Sequence, residues 1–230
     1  MRFWTLAELK TKIQDDCDLE GEEFIDDTEL VALINAAIDE VEQEIHALNQ
    51  DYFLKAGSVI ALVSGTSDYD VPSDIFGTKI RELVYDNGSR VYEIKRSRQR
   101  GKFTDYRKAL QTSSSSAEYE YFLLNSTAGS PKIRLTPTPA ESGSYLYPFY
   151  IRNANRLTVD ADVLDIPEAA NYVMKCVKVD VYTKEGDPRL QLAIQARDAE
   201  WDSIMSVLAE ATADDDNEIE PDLSAYQEME

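Results

Sequence analysis

The chain carries one histidine, His46, and two cysteines, Cys17 and Cys176. Histidine is the side chain that exchanges protons near neutral pH and the commonest metal ligand. A single one cannot be joined by others of its kind in a metal set or a hydrolytic triad. The cysteines lack the C-x-x-C spacing of a zinc site or redox pair, so neither a metal centre nor a disulfide framework is expected. This fits a reducing compartment. No G-x-S-x-G, H-E-x-x-H, P-loop or dinucleotide fingerprint is present. Carboxylates are plentiful, but abundance is not a site. The expectation is a protein that is not an enzyme, with no catalytic residue, metal or cofactor.

Two charged stretches invite a sharper reading. Asp16, Asp18, Glu20, Gly21 and Asp27 loosely echo a calcium-binding loop between helices. Position 8 of that loop would be Glu23, where an apolar residue belongs, and position 12 would be Asp27, shorter than the usual Glu. The stretch reads better as a solvated inter-helix loop. In the second stretch the charge inverts. Arg90, Lys95, Arg96, Arg98, Arg100, Lys102, Arg107 and Lys108 place eight of the 23 basic residues in one window, opposed only by Glu93 and Asp105. Phe103 and Tyr106 are interleaved. Such a window could contact phosphate, dock on the acidic face of a neighbouring copy, or be solvated. In so acidic a chain, charge complementarity favours docking, and Lys95, Arg96, Arg98, Arg100, Lys102, Arg107 and Lys108 are the candidate inter-subunit or tail-facing residues.

These stretches sit in a chain of 230 residues with 44 acidic residues and a formal charge of −21. A surface of that sign repels free nucleic acid, and it suits a channel wall along which a polyanion must slide. The hydrophobic fraction of 43% is enough for a real core. The start, MRFWTLAELK, has no apolar signal core, and no apolar run approaches a membrane span. A soluble protein, cytosolic at synthesis and without a membrane partner, is expected.

The elements that must position these stretches divide by periodicity. Leu30, Ile34, Ala37, Ile38, Val41, Ile45 and Leu48 form one apolar stripe of period 3.6 over residues 26–49, a helix of roughly 30 Å. Glu29, Asp39, Glu40, Glu42 and Glu44 are expected on its solvent face. Asp26 and Glu29 have capping-box spacing, as do Thr5 and Glu8, which open a short helix running to about Asp15. The middle of the chain reads as strands: 58–63, a short one near Tyr69, 79–85 and 90–96 around the hairpin signal Asn87-Gly88, then 119–124, 133–136 and 145–152. Thr112 to Ser116 reads as a loop tip. Pro148 argues that the last strand lies at a sheet edge or a bulge. Pro167 opens a helix striped by Ala169, Tyr172, Val173, Cys176 and Val177. Gly186 and Asp187-Pro188 end it, and Leu190, Ile194, Trp201, Ile204, Met205 and Leu208 stripe the next. Asp180 and Arg197 are placed to pair across this hairpin. From Thr212 the composition is acidic, with only Ile219, Leu223, Tyr226 and Met229 as sizeable apolar groups, too few to fold alone.

The fold class expected is therefore α+β. N-terminal helices (1–54) and a C-terminal αα-hairpin (166–211) make a helical bundle. A mostly antiparallel β insertion (55–165) lies between them in sequence, and an extended acidic tail (212–230) docks on a partner.

Four features in order resemble the head-to-tail adaptor (connector, or tail-tubular-A-like) proteins of tailed bacteriophages. Thr5-Leu6 opens a short helix. Thr28-Glu29-Leu30 and Ile34-Asn35-Ala36-Ala37 lie in a long acidic helix. Gly65 precedes Tyr69-x-x-Pro72-x-Asp74-Ile75. Asp162-x-Leu164-x-Ile166-Pro167 enters the αα-hairpin. The resemblance implies a virion structural protein at the head–tail junction, assembled in the host cytoplasm as a homo-oligomeric ring, usually of twelve copies. The ring would sit under the portal, extend the DNA channel and receive tail or nozzle proteins. Twelve copies would carry about −250 charges, so DNA would pass without specific binding. The tail would dock on the portal through Ile219, Leu223 and Tyr226. The alternatives are a nucleic-acid-binding module using window 90–108, or another ring lower in the neck.

Overall fold

The computed structural model describes residues 2–19, 24–49, 51–97, 119–124 and 131–215, with side chains as far as Leu208. The fold is mixed α+β, with sheets rich in antiparallel pairs. The chain forms two compact units, one from residues 1–50 and 154–230 and one from 51–153.

The first unit is helical. Helix α1 (Leu6–Cys17) starts at a complete capping box: the Glu8 N–H donates to Thr5 Oγ1 at 3.3 Å, and the Thr5 N–H donates to Glu8 Oε2 at 3.0 Å. Its next two orphan donors are satisfied by the chain that returns after the β unit. Leu6 and Ala7 N–H donate to the carbonyls of Asp162 and Asp160, at 2.9 and 3.1 Å. Helix α2 (Asp27–Leu48) is capped by Asp26, which accepts from the Glu29 N–H at 2.7 Å. The reciprocal half of a box is absent because Lys184 holds the Glu29 carboxylate at 2.6 and 2.7 Å. A 3₁₀ turn (Pro167–Ala169) leads into α3 (Ala170–Glu185), and α4 (Leu190–Asp215) follows. Gly186 takes φ +74° in the turn between them, and its N–H and that of Asp187 close on the Tyr182 carbonyl.

Helix α3 lies against α1, α2 and α4, so its buried stripe is the centre of this unit. Leu9, Ile34, Val41, Ile45, Val173 and Val177 are fully buried. Each such side chain contributes about 1.5–3 kcal/mol relative to exposure. The segment Ala154–Ile166 adds Leu157, Leu164 and Ile166 to the same core.

Several expectations change in this unit. Helix α1 continues to Cys17, and α4 continues to Asp215, so the first residues assigned to an extended tail are helical. Glu42 is buried and belongs to no solvent face: its Oε1 accepts from the Ala154 N–H at 2.8 Å and lies 3.3 Å from His46 Nε2. Arg197 bonds to its neighbour Asp198 rather than to Asp180, and the ion pair that crosses from α3 to α4 is Lys175–Glu200. Of the carboxylates that echo a calcium loop, Asp16 is held by Lys12 and Asp27 by Lys10, at 2.6 and 2.9 Å. Residues 20–23 of that loop lie outside the described residues.

The second unit holds two sheets. One has the order β1 (Leu54–Ala56), β9 (Tyr145–Arg152), β4 (Ile75–Asp86), β5 (Val91–Glu93), with β2 (Ile60–Ala61) also on β9. The other has the order β3 (Asp68–Asp70), β8 (Lys132–Thr136), β7 (Glu120–Leu124), β6 (Lys95–Arg96). Tyr69, Tyr121, Leu123, Ile133 and Leu135 of the second sheet share one buried cluster with Leu83, Tyr85 and Leu146 of the first. The Asn87-Gly88 hairpin forms as expected. Gly88 takes φ +79°, and the side-chain oxygen of Asn87 accepts from the Arg90 N–H at 2.7 Å. The strand expected over 58–63 shrinks to Ile60–Ala61.

For Pro148 the edge reading fails and the bulge reading holds. The residue lies in β9, the central strand of its sheet, opposite Leu83 of β4. A strand residue points its N–H and carbonyl to the same side. The Pro148 carbonyl accepts from the Gly57 N–H at 2.7 Å, on the side where β1 ends and β2 has not begun. The absent N–H therefore faces a gap in the ladder, and β4 loses nothing. A register shift between Ile80 and Glu82, beside this site, supplies the bulge that the proline signalled.

Motif residues of this unit act on the backbone. The Tyr69 hydroxyl donates to the Thr66 carbonyl at 2.9 Å, and the Asp74 carboxylate accepts from Tyr150 and Lys55 at 2.6 and 2.8 Å. These contacts build turns and contribute no reactive centre.

Candidate functional site

The described part of the basic window runs from Arg90 to Ser97. Lys95 and Arg96 form β6, the outer strand of the second sheet, and both are exposed. Strand β6 runs parallel to β7, with Lys95 opposite Glu120 and Arg96 opposite Tyr121. This is the one parallel pair among the described strands. Antiparallel neighbours can be joined by two residues, whereas parallel neighbours need a connection of a dozen or more. Residues 97–119 are that connection, and its length is what the parallel pairing requires.

Both ends of the connection are tied to the sheets. The Ser97 N–H donates to the Tyr121 carbonyl at 2.9 Å. The Tyr119 N–H donates to the Tyr92 hydroxyl at 3.2 Å. Tyr85 packs on both Tyr92 and Tyr119, with ring centroids 5.0 and 5.2 Å apart, and Arg90 sits 4.7 Å over the Tyr92 ring. Aromatic contacts of this kind add about 0.5–1.5 kcal/mol each beyond their buried area. Burial pushes the Tyr119 and Tyr121 hydroxyls above the usual tyrosine pKa, so they stay neutral. The described residues form a tyrosine base beside an outer strand that carries two exposed cations, Lys95 and Arg96.

Of the sequence-predicted residues, the structure brings Lys95 and Arg96 together on this edge. Arg98, Arg100, Lys102, Arg107 and Lys108 lie outside the described residues, as do the tail residues Ile219, Leu223 and Tyr226. The tyrosine base escaped sequence reading, because Tyr92 and Tyr119 are 27 residues apart and meet only through the parallel pairing. Among the described residues no group of three or more His, Cys, Asp and Glu could hold a metal ion. No described helix is long and apolar enough to cross a membrane.

Comparison with curated proteins returns no match. Residues 4–222 match the family described as SU10 adaptor protein, a span that includes both units, the basic window and the first residues beyond α4. The chain therefore belongs to the SU10 adaptor protein family, structural components of the bacteriophage virion that connect head to tail.

Proposed function

We propose that the protein acts as a ring of about twelve copies between the portal of a phage head and its tail, extending the channel for DNA. The observation that carries this reading is the family match over residues 4–222. A ring requires a heterologous contact, in which each copy offers two different surfaces. The exposed cations of β6 and the connection beyond it supply one surface, in a chain whose formal net charge is −21. In this reading Lys95, Arg96 and the rest of the window meet an adjacent subunit or a tail protein. The acidic segment after α4 engages the portal through Ile219, Leu223 and Tyr226. Carboxylates toward the channel keep DNA from adhering. Assembly takes place in the host cytoplasm.

Native mass spectrometry of the protein alone and with the matching portal tests the proposal. A large cyclic oligomer, free or on the portal, supports it. A monomer that ignores the portal overturns it. Salt-sensitive binding of such a monomer to DNA would favour a nucleic-acid module built on the basic window.

A further inference from the structure

The first sheet is apolar on the face that points away from the second. Successive side chains of β9 alternate between the two faces. Leu146, Pro148 and Tyr150 are buried, and Leu146 belongs to the cluster shared with the second sheet. Tyr145, Tyr147 and Phe149 therefore point outward. The register sets Val84 of β4 beside Tyr147, and it sets Val91 of β5 in one row with Asp86 and Tyr145. Val91 is 66% exposed and Tyr145 43%. An antiparallel sheet with one wet face alternates apolar and polar residues, whereas an unbroken apolar run is the mark of a strand covered on both sides. Strand β9, YLYPFYIR, is such a run.

Charge narrows what covers this face. Glu82, Asp86 and Glu93 lie on it, and no lysine or arginine of its paired positions does. Neither Glu82 nor Glu93 makes an ion pair among the described residues. The corresponding face of the second sheet is matched within itself, Asp68 to Arg134 and Asp70 to Lys132. The outward face of the first sheet thus calls for a cationic segment with large apolar side chains.

Four stretches of the chain lie outside the described residues, and one of them has that chemistry. Residues 20–23 and 216–230 are acidic and contain no basic residue. Residues 125–130, NSTAGS, carry no charge and no large apolar group. Residues 98–118 carry Arg98, Arg100, Lys102, Arg107 and Lys108 against Asp105 and Glu118, interleaved with Phe103, Tyr106 and Leu110. The stretch also ends beside the face. The Tyr119 N–H bonds to the hydroxyl of Tyr92, whose neighbours in β5 are Val91 and Glu93. Strand β9 stands two places from β5, about 10 Å. The six residues from Ser97 to Phe103 can span up to about 21 Å. A neighbour's copy of the stretch has the same chemistry, so concentration decides between them. A segment tethered at both ends acts at an effective concentration of about millimolar, which a dilute neighbour does not match.

We infer that in the separate subunit residues 98–118 dock on the outward face of the first sheet of their own copy. Phe103, Tyr106 and Leu110 meet the aromatic residues of β9, and the cations meet Glu82, Asp86 and Glu93. The inference goes beyond the ring reading and does not rest on it. A neighbour that takes the basic window competes with this contact.

Carbodiimide coupling of the full-length protein tests this, because it joins lysines to carboxylates that touch them. Isotopically heavy and light protein are mixed at low micromolar concentration before coupling, and the linked peptides are read by mass spectrometry. The expected links run from Glu82, Asp86 or Glu93 to Lys102 or Lys108 within single chains. Val91→Glu with Tyr145→Glu should lower their yield about tenfold and speed trypsin cleavage within residues 98–108 about tenfold. Circular dichroism should be unchanged, since both side chains are exposed. Absence of these links from the wild-type protein, links found only between heavy and light chains, or links and cleavage indifferent to the two substitutions would overturn the inference. Native mass of the same samples reports on the ring reading separately: a monomer with the links intact removes the ring alone, and a ring without them removes this inference alone.

Discussion

Asn35 carries both hydrogen bonds of Leu157: its Nδ2 donates to the Leu157 carbonyl and its Oδ1 accepts from the Leu157 N–H, each at 2.9 Å. Seven residues on, two turns along the same helix, Glu42 accepts from the Ala154 N–H. Helix α2 thus holds the returning chain by two polar side chains set on one ridge. A buried backbone with no neighbouring strand must find such partners.

Replacing Asn35 by Ala leaves a buried N–H and a buried carbonyl of Leu157 without partners. The expected loss is about 2–4 kcal/mol of unfolding free energy, from two groups costing about 1–3 kcal/mol each and partly rescued by water. Asn35→Asp keeps the acceptor but sets a buried carboxylate against the carbonyls of Leu157 and Val31, so at pH 7 it should cost at least as much as Asn35→Ala. Urea unfolding followed by circular dichroism measures both. Equal stability of wild type and Asn35→Ala would refute the clamp.

Gly57 has no room for a side chain. A Cβ there would lie 2.8 Å from Tyr150 Cε1 and 2.9 Å from Pro148 Cγ. Gly57→Ala must push β9 away from the β1–β2 gap, at about 1–3 kcal/mol. The melting temperature should fall by several degrees, while Gly88→Ala meets no contact and is penalised only through its positive φ.

Asp68 and Arg134 make a two-pronged pair across β3 and β8. The Arg134 hydrogen bonds hold the Asp68 carboxyl below its usual pKa, with Lys132 adding to the effect. A depressed folded pKa contributes stability that is present above the unfolded value, near about 4, and is lost as pH falls through the folded value. Asp68→Asn should therefore lower stability at pH 7 and flatten the acid limb below about pH 4. Thermal melts between about pH 2.5 and 7 check the sign.

Cys17 and Cys176 should resist alkylation in the native protein at pH 8 and react fully once unfolded. Burial raises both thiols to about 11, which leaves little thiolate. Mass spectrometry after an iodoacetamide pulse reads the outcome. Rapid native labelling of either would mean that the helical unit opens readily.

The basic window gives a prediction about assembly. Lys95→Glu with Arg96→Glu reverses two exposed charges at the β6 edge. Folding should be retained within about 0.5 kcal/mol. Oligomerisation or tail attachment should weaken about tenfold or more, which sedimentation at fixed concentration reports. Assembly at wild-type strength would remove the window from the interface.

What the sequence determined by itself was local. The α2 stripe as far as Ile45, the Thr5–Glu8 box, the Asp26 cap and the Asn87-Gly88 hairpin each rest on residues within one or two turns, and each is present; Leu48, expected to end the stripe, is exposed. The α+β class followed from the switch between periods of 3.6 and 2 along the chain. Tertiary structure decided the rest. Glu42 lies within an acidic stretch of α2, and only Ala154, 112 residues away, makes its burial favourable. Asn35 meets Leu157 across 122 residues. Pro148 looked like an edge signal because its missing N–H is a local fact. The gap between β1 and β2 that tolerates it is set by where the chain pairs, 87 residues or more earlier. The parallel partner of β6 lies beyond the whole basic window. Periodicity reports which face of an element is apolar. The burial of a polar side chain depends on distant backbone that needs a hydrogen bond, and no local pattern carries that information.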